Sequence, residues 1–260
     1  MKTKLQIKKQ LADMGILPTD IVLIHTSFKA VGEVEGGPDG FIDAFCEYLS
    51  EGTFIVPTHT WGVINKDNNV FDVRKTVPNI GLVPRTAAFR KDGIRSLHPT
   101  HSVWVHGKMA EELTKNEEYA HTPGRTGYFW DKLGDIGAKI LLIGVGNNKN
   151  TFIHSVEERA KLSNRIGEPY DVKIIDQEGK ELWVRNRPHY CTETDDVSQY
   201  FTNFDKPLTE MGCQYFGKIG EATVRVVDAG KCRELVLKVF TRAESDIFLE
   251  HREFPESLWK

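Results

Sequence analysis

The 260-residue chain is short of several things, and each shortage excludes a class of protein. It has only four cysteines, Cys46, Cys191, Cys213 and Cys232, widely spaced and without a C-x-x-C pair. That spacing argues for reduced thiols in a core rather than a disulfide frame or a cysteine zinc site. It has no apolar run near the roughly 18 residues a membrane-spanning helix needs. Its start, Met1 to Gly15, is charged and amphipathic and lacks the continuous apolar stretch of a signal peptide. Neither sign of charge dominates: 34 basic and 37 acidic residues leave −3, with a pI near 6.3, so there is no electrostatic footprint of a nucleic-acid binder. No G-x-G-x-x-G, G-x-x-x-x-G-K-[ST] or H-E-x-x-H motif occurs, and no internal repeat, low-complexity segment or linker. Apolar residues, at 40%, with 14 Phe and 5 Trp, are enough for a sizeable core. A cytoplasmic protein is expected, with no nucleic-acid or membrane partner; a homo-oligomer stays open.

What is present alternates between strand and helix. Thr3 caps an expected helix with Leu5, Ile7, Leu11 and Met14 toward one side, ending at Gly15. Ile21 to Ile24 reads as a buried strand, followed by a glycine-rich turn (Gly32, Gly36, Gly37). Pro38 then opens a helix with Phe41, Ile42, Phe45 and Leu49 on its apolar face, and Thr53 to Val56 is the next strand. Residues 57–80 give no sustained period, and an irregular stretch this long is usually functional. Helices are expected over Leu82 to Arg90, Lys108 to Thr114, Thr151 to Leu162 and Arg233 to Arg242. Further strands are expected over Val103 to Val105, Ala138 to Val145 and Ala222 to Val227, with a hairpin over Val172 to Asp176 and Glu181 to Arg185. The pattern is an α/β domain on a mixed sheet, with antiparallel strands added in the second half.

Three segments offer chemistry. After the strongest strand, Gly144-Val145-Gly146 leads through Asn147 to Asn150 into a helix carrying His154 and Glu157 three residues apart, hence neighbours on one face. A carboxylate beside an imidazole fixes its tautomer and orients it, which describes a general base with its orienting partner. The plainer reading is an exposed histidine near a salt-bridging glutamate. The second segment, His25-Thr26-Ser27 through Gly32 to Pro38, joins a strand end, hydroxyls and a helix start, a place where backbone N–H groups can hold phosphate. Its plainer reading is a tight turn. The third, Arg95-Ser96-Leu97-His98-Pro99-Thr100-His101-Ser102, offers an arginine for phosphate and several hydrogen-bonding groups; the pair His98 and His101 admits a metal reading that Pro99 between them disfavours. Its plainer reading is a polar loop before a strand.

Taken together and in order, these stretches resemble the aminoglycoside 3-N-acetyltransferase family. The family's H-[ST]-S turn matches His25-Thr26-Ser27, its P-T matches Pro57-Thr58, and its R-S-x-H-P-x-x-S matches Arg95, Ser96, His98, Pro99 and Ser102. Its L-L-G-V-G and N-T-x-x-H-x-x-E match Leu142 to Gly146, then Asn150, Thr151, His154 and Glu157. Its G-x-[VI]-G-x-A hairpin matches Gly217 to Gly220 with Ala222. The likeness spans roughly residues 5–240. It implies a single domain over residues 1–260, three αβα layers around a mixed central sheet, and acetyl-CoA as co-substrate with no metal. It also implies direct transfer of acetyl to an amine of an aminoglycoside or related amino sugar. His154 becomes the general base and Glu157 its partner. Ser27, Lys29, Val31 and Gly32 become candidates for the CoA arm and pyrophosphate. Arg95, Ser96 and Ser102 become candidates for phosphate or pantetheine contacts. Thr58 or a backbone N–H near Ser27 would serve the oxyanion, and His98 and Thr151 the oxyanion or the substrate. Asp43, Asp67, Asp72 and Glu158 are the carboxylates considered for a polycationic acceptor. The segment from His59 to Asn79 matches least and borders the acceptor in this reading. A CoA-independent amidase or esterase acting on a sugar, and a non-catalytic CoA binder, are the alternatives.

Overall fold

Thr3 starts the first helix, Lys4–Asp13, with a reciprocal cap: its hydroxyl accepts from the Gln6 N–H at 3.2 Å, and its own N–H donates to Gln6 Oε1 at 2.9 Å. Such a cap stabilises a helix by about 1 kcal/mol. Ile7 and Leu11, one turn apart, are buried, whereas Leu5, expected beside them, is 74% exposed. Two residues correspond to about 200° around a helix, so Leu5 falls on the far side from Ile7. The computed structural model describes residues 1–243 and 247–260 of the chain.

In chain order the strands are β1 (Ile21–Thr26), β2 (Thr53–Pro57), β3 (Val70–Asp72), β4 (Ile94–Arg95) and β5 (Val103–Gly107). They continue with β6 (Lys139–Ile143), β7 (Tyr170–Ile175), β8 (Glu181–Asn186), β9 (Gln214–Ile219) and β10 (Ala222–Asp228). The central sheet has the order β4-β5-β2-β1-β6-β10-β9. Only its middle is parallel, β1 with β2 and with β6; both flanks are antiparallel. Antiparallel pairing thus begins in the first half, at β4 and β5, earlier than expected. The expected hairpin forms as β7 and β8, but it lies in a separate sheet of order β3-β7-β8. β3 itself lies within the stretch expected to be irregular, and pairs in parallel with β7, Phe71 opposite Ile174.

Strand alternation sends side chains to two cores. Leu23, Ile55, Val105, Ile140 and Leu142 face one side, under helices Phe152–Arg159 and Ala229–Arg242. Val22, Ile24, Phe54, Leu141 and Ile143 face the other, under Lys4–Asp13 and Gly37–Tyr48. This is the expected three-layer arrangement. Burial of a residue such as Phe41 or Phe45 contributes roughly 1.5–3 kcal/mol, so each helix is held mainly by its apolar face. Among the described residues no helix is long and apolar enough to cross a membrane. All four cysteines are free; Cys191, Cys213 and Cys232 are buried and Cys46 half-buried.

Candidate active site

The carboxyl ends of the parallel strands β1, β2 and β6 open into one cleft of about 870 Å³. Such a position, beyond the strand ends of an open α/β sheet, is where ligands bind. His25 and Thr26 end β1, Pro57 ends β2, and Val145 follows β6; all line the cleft. Trp61, Ile64, Asn65 and Lys66 from the least-matched segment line it too, as do Pro188 to Cys191 and Thr194 to Ser198 from the second half.

The chain leaves β6 through Gly144, at φ +65°, where a Cβ would stand 2.5 Å from that of Ala30. A one-turn helix, Asn147–Lys149, follows. Buried Asn147 donates through Nδ2 to Asp205 at 2.7 Å and to Gln214 at 3.1 Å, and accepts from Asn150 at 3.2 Å. These bonds fix where helix Phe152–Arg159 begins. Its core face, Phe152, Ile153 and Val156, is buried, and that sets the direction of His154 and Glu157. His154 Nδ1 donates to Glu157 Oε2 at 2.7 Å, and Arg165 Nε donates to Glu157 Oε1 at 2.9 Å. The carboxylate therefore accepts on both oxygens. The imidazole carries its proton on Nδ1, which leaves the lone pair on Nε2. Glu157 and Arg165 have side chains 1% and 2% exposed, while His154 at 15% keeps access to the cleft.

The helix end delivers Arg165. The Lys161 N–H bonds to the Glu158 carbonyl at 3.0 Å and the Leu162 N–H to the Glu157 carbonyl at 3.2 Å, with Lys161 left-handed at φ 55°. This is a Schellman closure, and it stops the helix at Arg159 rather than at Leu162. Asn164, also left-handed at φ 58°, returns the chain so that Arg165 meets Glu157.

Around the pair lies a set of imidazoles. His189 stacks on His154 with centroids 4.0 Å apart and a 30° tilt, and Phe201 packs its edge there at 4.8 Å. His101 lies 5.6 Å from His189 and 4.6 Å from His59. Burial pushes His98 down to about 4, and holds His59, His101 and His189 well below the ordinary histidine range, neighbouring imidazoles adding to the effect. Near neutral pH these four rings are uncharged.

Of the residues singled out from the sequence, Ser27, Thr151, His154 and Glu157 line the cleft. Lys29 is exposed away from that lining; Val31 is buried in the core; Gly32, at φ +83°, makes a turn. The Ser27 N–H is taken by the Ile143 carbonyl. Arg95 is 3% exposed and fully engaged inside the protein. It donates to the carbonyls of Val73, Thr76 and Thr58 and to Ser102 Oγ, and lies over the rings of Phe71 and Phe89. Ser102 bonds the Thr58 carbonyl at 2.9 Å and Thr58 Oγ1 at 2.8 Å, and the Thr58 N–H bonds the Ser102 carbonyl. Ser96 accepts from the Val103 N–H. His98 accepts on Nδ1 from the N–H groups of Thr100 and His101, and its Nε2 bonds the Thr122 carbonyl. This segment is a latch between β2, β5 and the small sheet; Arg95, Ser96, His98 and Ser102, like Thr58, lie off the cleft lining, whereas Thr100 and His101 of the same segment are part of it. Asp43, Asp67, Asp72 and Glu158 are also off the lining; its further carboxylates are Glu168, Asp195 and Asp196. Sequence reasoning missed these three, and also Arg165 and His189, for which no local motif gives a signal.

Among the described residues, one group of ligating atoms is compact enough for a metal ion: Cys46, Asp92 and His106. It sits at the amino end of β2, opposite the cleft, with Asp92 clamped by Arg90.

A family described as aminoglycoside 3-N-acetyltransferase matches residues 23–241. Aminoglycoside N(3)-acetyltransferase IV from Salmonella sp is 29% identical over 257 residues, covering 96% of this chain and 91% of the relative. The crystal structure of aminoglycoside acetyltransferase AAC(3)-IVa, as a histidine-to-alanine mutant in complex with a gentamicin, superposes with a TM-score of 0.78. It is 25% identical and covers 100% of this chain and 96% of that one. The fold is shared as well with AAC-IIIb, solved as a binary complex with CoASH, at TM-score 0.76 and 22% identity over 91% of this chain and 95% of that one. The chain belongs to the aminoglycoside 3-N-acetyltransferase family, a family of acyltransferases.

Proposed function

We propose that the protein transfers the acetyl group of acetyl-CoA to an amine of an aminoglycoside or related amino sugar, by direct attack with His154 as general base. One observation carries this: the Arg165–Glu157–His154 chain ends in the free lone pair of His154 Nε2 on the wall of the cleft. An ammonium has no lone pair, so His154 first takes a proton from it. Glu157 holds the ring and offsets the positive charge that the proton brings, while Arg165 keeps Glu157 in place. The amine then forms a C–N bond to the carbonyl carbon as the C–S bond breaks, the sulfur leaving as thiolate; the second proton, which the nitrogen sheds as the amide forms, goes to the thiolate, and the proton held by His154 is released to water. The family and the names of its solved members support donor and acceptor class alike.

The cleft fits a long thioester. Its volume lies within the range of small-molecule and cofactor sites, Lys66 and Lys149 give its lining positive charge, and Ser27 and Thr151 give it hydroxyls. Glu168, Asp195 and Asp196 supply the negative charge that a polycationic acceptor needs. A donor confined to the cell interior places the reaction in the cytoplasm. The test is thiol release from acetyl-CoA across a panel of aminoglycosides and simple amino sugars. Release with an amine present is the expected result; hydrolysis of a sugar ester or amide without CoA, and no release with any amine, overturns the reading.

A further inference from the structure

His154 is held in its ring plane by one hydrogen bond, from Nδ1 to Glu157. A single bond along one edge leaves the ring free to swing about it. The remaining constraint is two rings: His189 against its face at 4.0 Å and the edge of Phe201 at 4.8 Å. His189 comes from far along the chain, yet the segment that supplies Arg165 ties it down. The Tyr190 N–H donates to the Arg165 carbonyl at 3.1 Å, the Gly167 N–H to the Pro188 carbonyl at 2.9 Å, and Ile166 and His189 form an antiparallel bridge. One short backbone junction therefore fixes both the group that anchors Glu157 and the ring that lies on His154.

We infer that His189 is a positioning residue for the base: the face of its ring, not its nitrogens, holds His154 in the orientation from which Nε2 meets the acceptor amine. This rests on the transferase reading of the site. The nitrogens are shielded from solvent and make no hydrogen bond of good geometry, the Arg165 carbonyl alone lying close enough to interact with one of them, so a substrate atom does not reach them in this arrangement. His154 and His101 touch the ring, the Arg165 carbonyl lies beside it, His98 and His59 act on it from further off, and burial keeps His189 uncharged. An uncharged flat ring adds no repulsion when His154 takes its proton, and the face of a π-system attracts a cation. Buried nitrogens without a well-formed hydrogen bond are costly to stability, so an all-carbon ring of similar size should serve here equally well in position and better in stability.

The experiment is a set of variants assayed by thiol release with acetyl-CoA and the best amine. His189→Ala should lower kcat about 10–100-fold, the scale of a misplaced catalytic group, with KM for both substrates within about twofold of wild type. His189→Phe should keep kcat within about threefold and raise Tm. In a His154→Ala background, His189→Ala should cost nothing more, because a residue that acts through the base has nothing left to position. The inference is overturned if His189→Ala leaves kcat unchanged or raises KM alone. It is also overturned if Asn rescues activity where Phe does not, which would make a nitrogen the working group, or if the two losses multiply in the double variant. If wild type itself releases no thiol with any amine, the transferase reading fails and this inference with it. A failure confined to the His189 variants leaves that reading standing.

Discussion

Two polar segments of this chain are both buried and both rich in hydrogen-bonding side chains, but their bonds are arranged differently. Around Arg95, Ser96, His98 and Ser102 the bonds close on the protein itself, although Thr100 and His101 of the same segment reach the cleft wall. Arg95 is shared among three carbonyls and a serine, Ser102 joins Thr58, and His98 has both nitrogens occupied. Along His154 to Arg165 the bonds run in a line, from Arg165 to Glu157 to His154 Nδ1, and stop with Nε2 unmatched at the cleft. Burial alone does not separate the two, since Arg95 and Arg165 are about equally hidden. What separates them is whether a chain of bonds ends inside the protein or on a wall that a substrate can reach. A closed set gives stability, and an open-ended one gives chemistry.

The largest expected effect breaks the open end. His154→Ala should reduce acetyl transfer about 10²–10⁴-fold while CoA affinity, measured by titration calorimetry, stays near wild type. Near-normal turnover in the folded variant would remove the base from the mechanism. Glu157→Gln should cost less in turnover, because the imidazole remains, and more in stability, because Arg165 loses its carboxylate.

The matching change in the closed set should give the opposite signature. Arg95→Ala leaves the Val73 and Thr76 carbonyls without their donor, while Thr58 keeps the Ser102 hydroxyl, at about 1–3 kcal/mol for each group left unmatched. Urea denaturation should show the loss, and KM for acetyl-CoA should stay within about twofold in the protein that remains folded. A selective rise in that KM with stability intact would return Arg95 to the cofactor site.

A buried carboxyl outside both segments tests the same rule where a group is only half matched. Glu117 accepts from the Phe129 N–H at 3.0 Å, and burial pushes its pKa up to about 7. Its folded value lies above its unfolded one, so the folded state holds the extra proton between about pH 4.5 and 7. Stability contributed by the protonated form is therefore lost as pH rises through that window. Glu117→Gln should be more stable than wild type at pH 8 by about 1–3 kcal/mol and equal to it near pH 4.5. A constant difference across the window would mean that the carboxyl does not titrate there.

The alternation of strands and helices was legible because it is local: period and caps sit within a few residues, as at Thr3 and Pro38. β3 was not, since three residues gain strand character only from β7, a hundred positions on, where Val70 meets Lys173. The pair His154 and Glu157 was legible because helix geometry makes three apart adjacent. Arg165 and His189 were not, because a left-handed turn and a long-range bridge bring them in, and neither leaves a periodic trace. Arg95 shows a different limit: its spacing with Ser96 and Ser102 announces a polar cluster but not the direction in which its bonds point. Residue type and spacing identify groups able to do chemistry, and only the hydrogen-bond count in three dimensions says which still have capacity.

The smallest expected effect concerns the turn that joins the helix to Arg165. Lys161 occupies the left-handed position of the Schellman closure at φ 55°, a conformation that costs a non-glycine residue roughly 1–2 kcal/mol. Glycine there removes the strain but gives the unfolded chain more freedom, so the two effects partly cancel. Lys161→Gly should therefore stabilise the protein by about 0.5–1 kcal/mol, a rise of roughly 1–4 °C in Tm for a chain of this size. The side chain is exposed, so no packing is lost. If the turn only ends the helix, kcat and both KM values should match wild type. If its stiffness also holds Arg165 against Glu157, kcat should fall even as Tm rises. That split would place part of the orientation of His154 in the backbone after the helix, and would extend the open-ended chain of bonds one step further from the cleft.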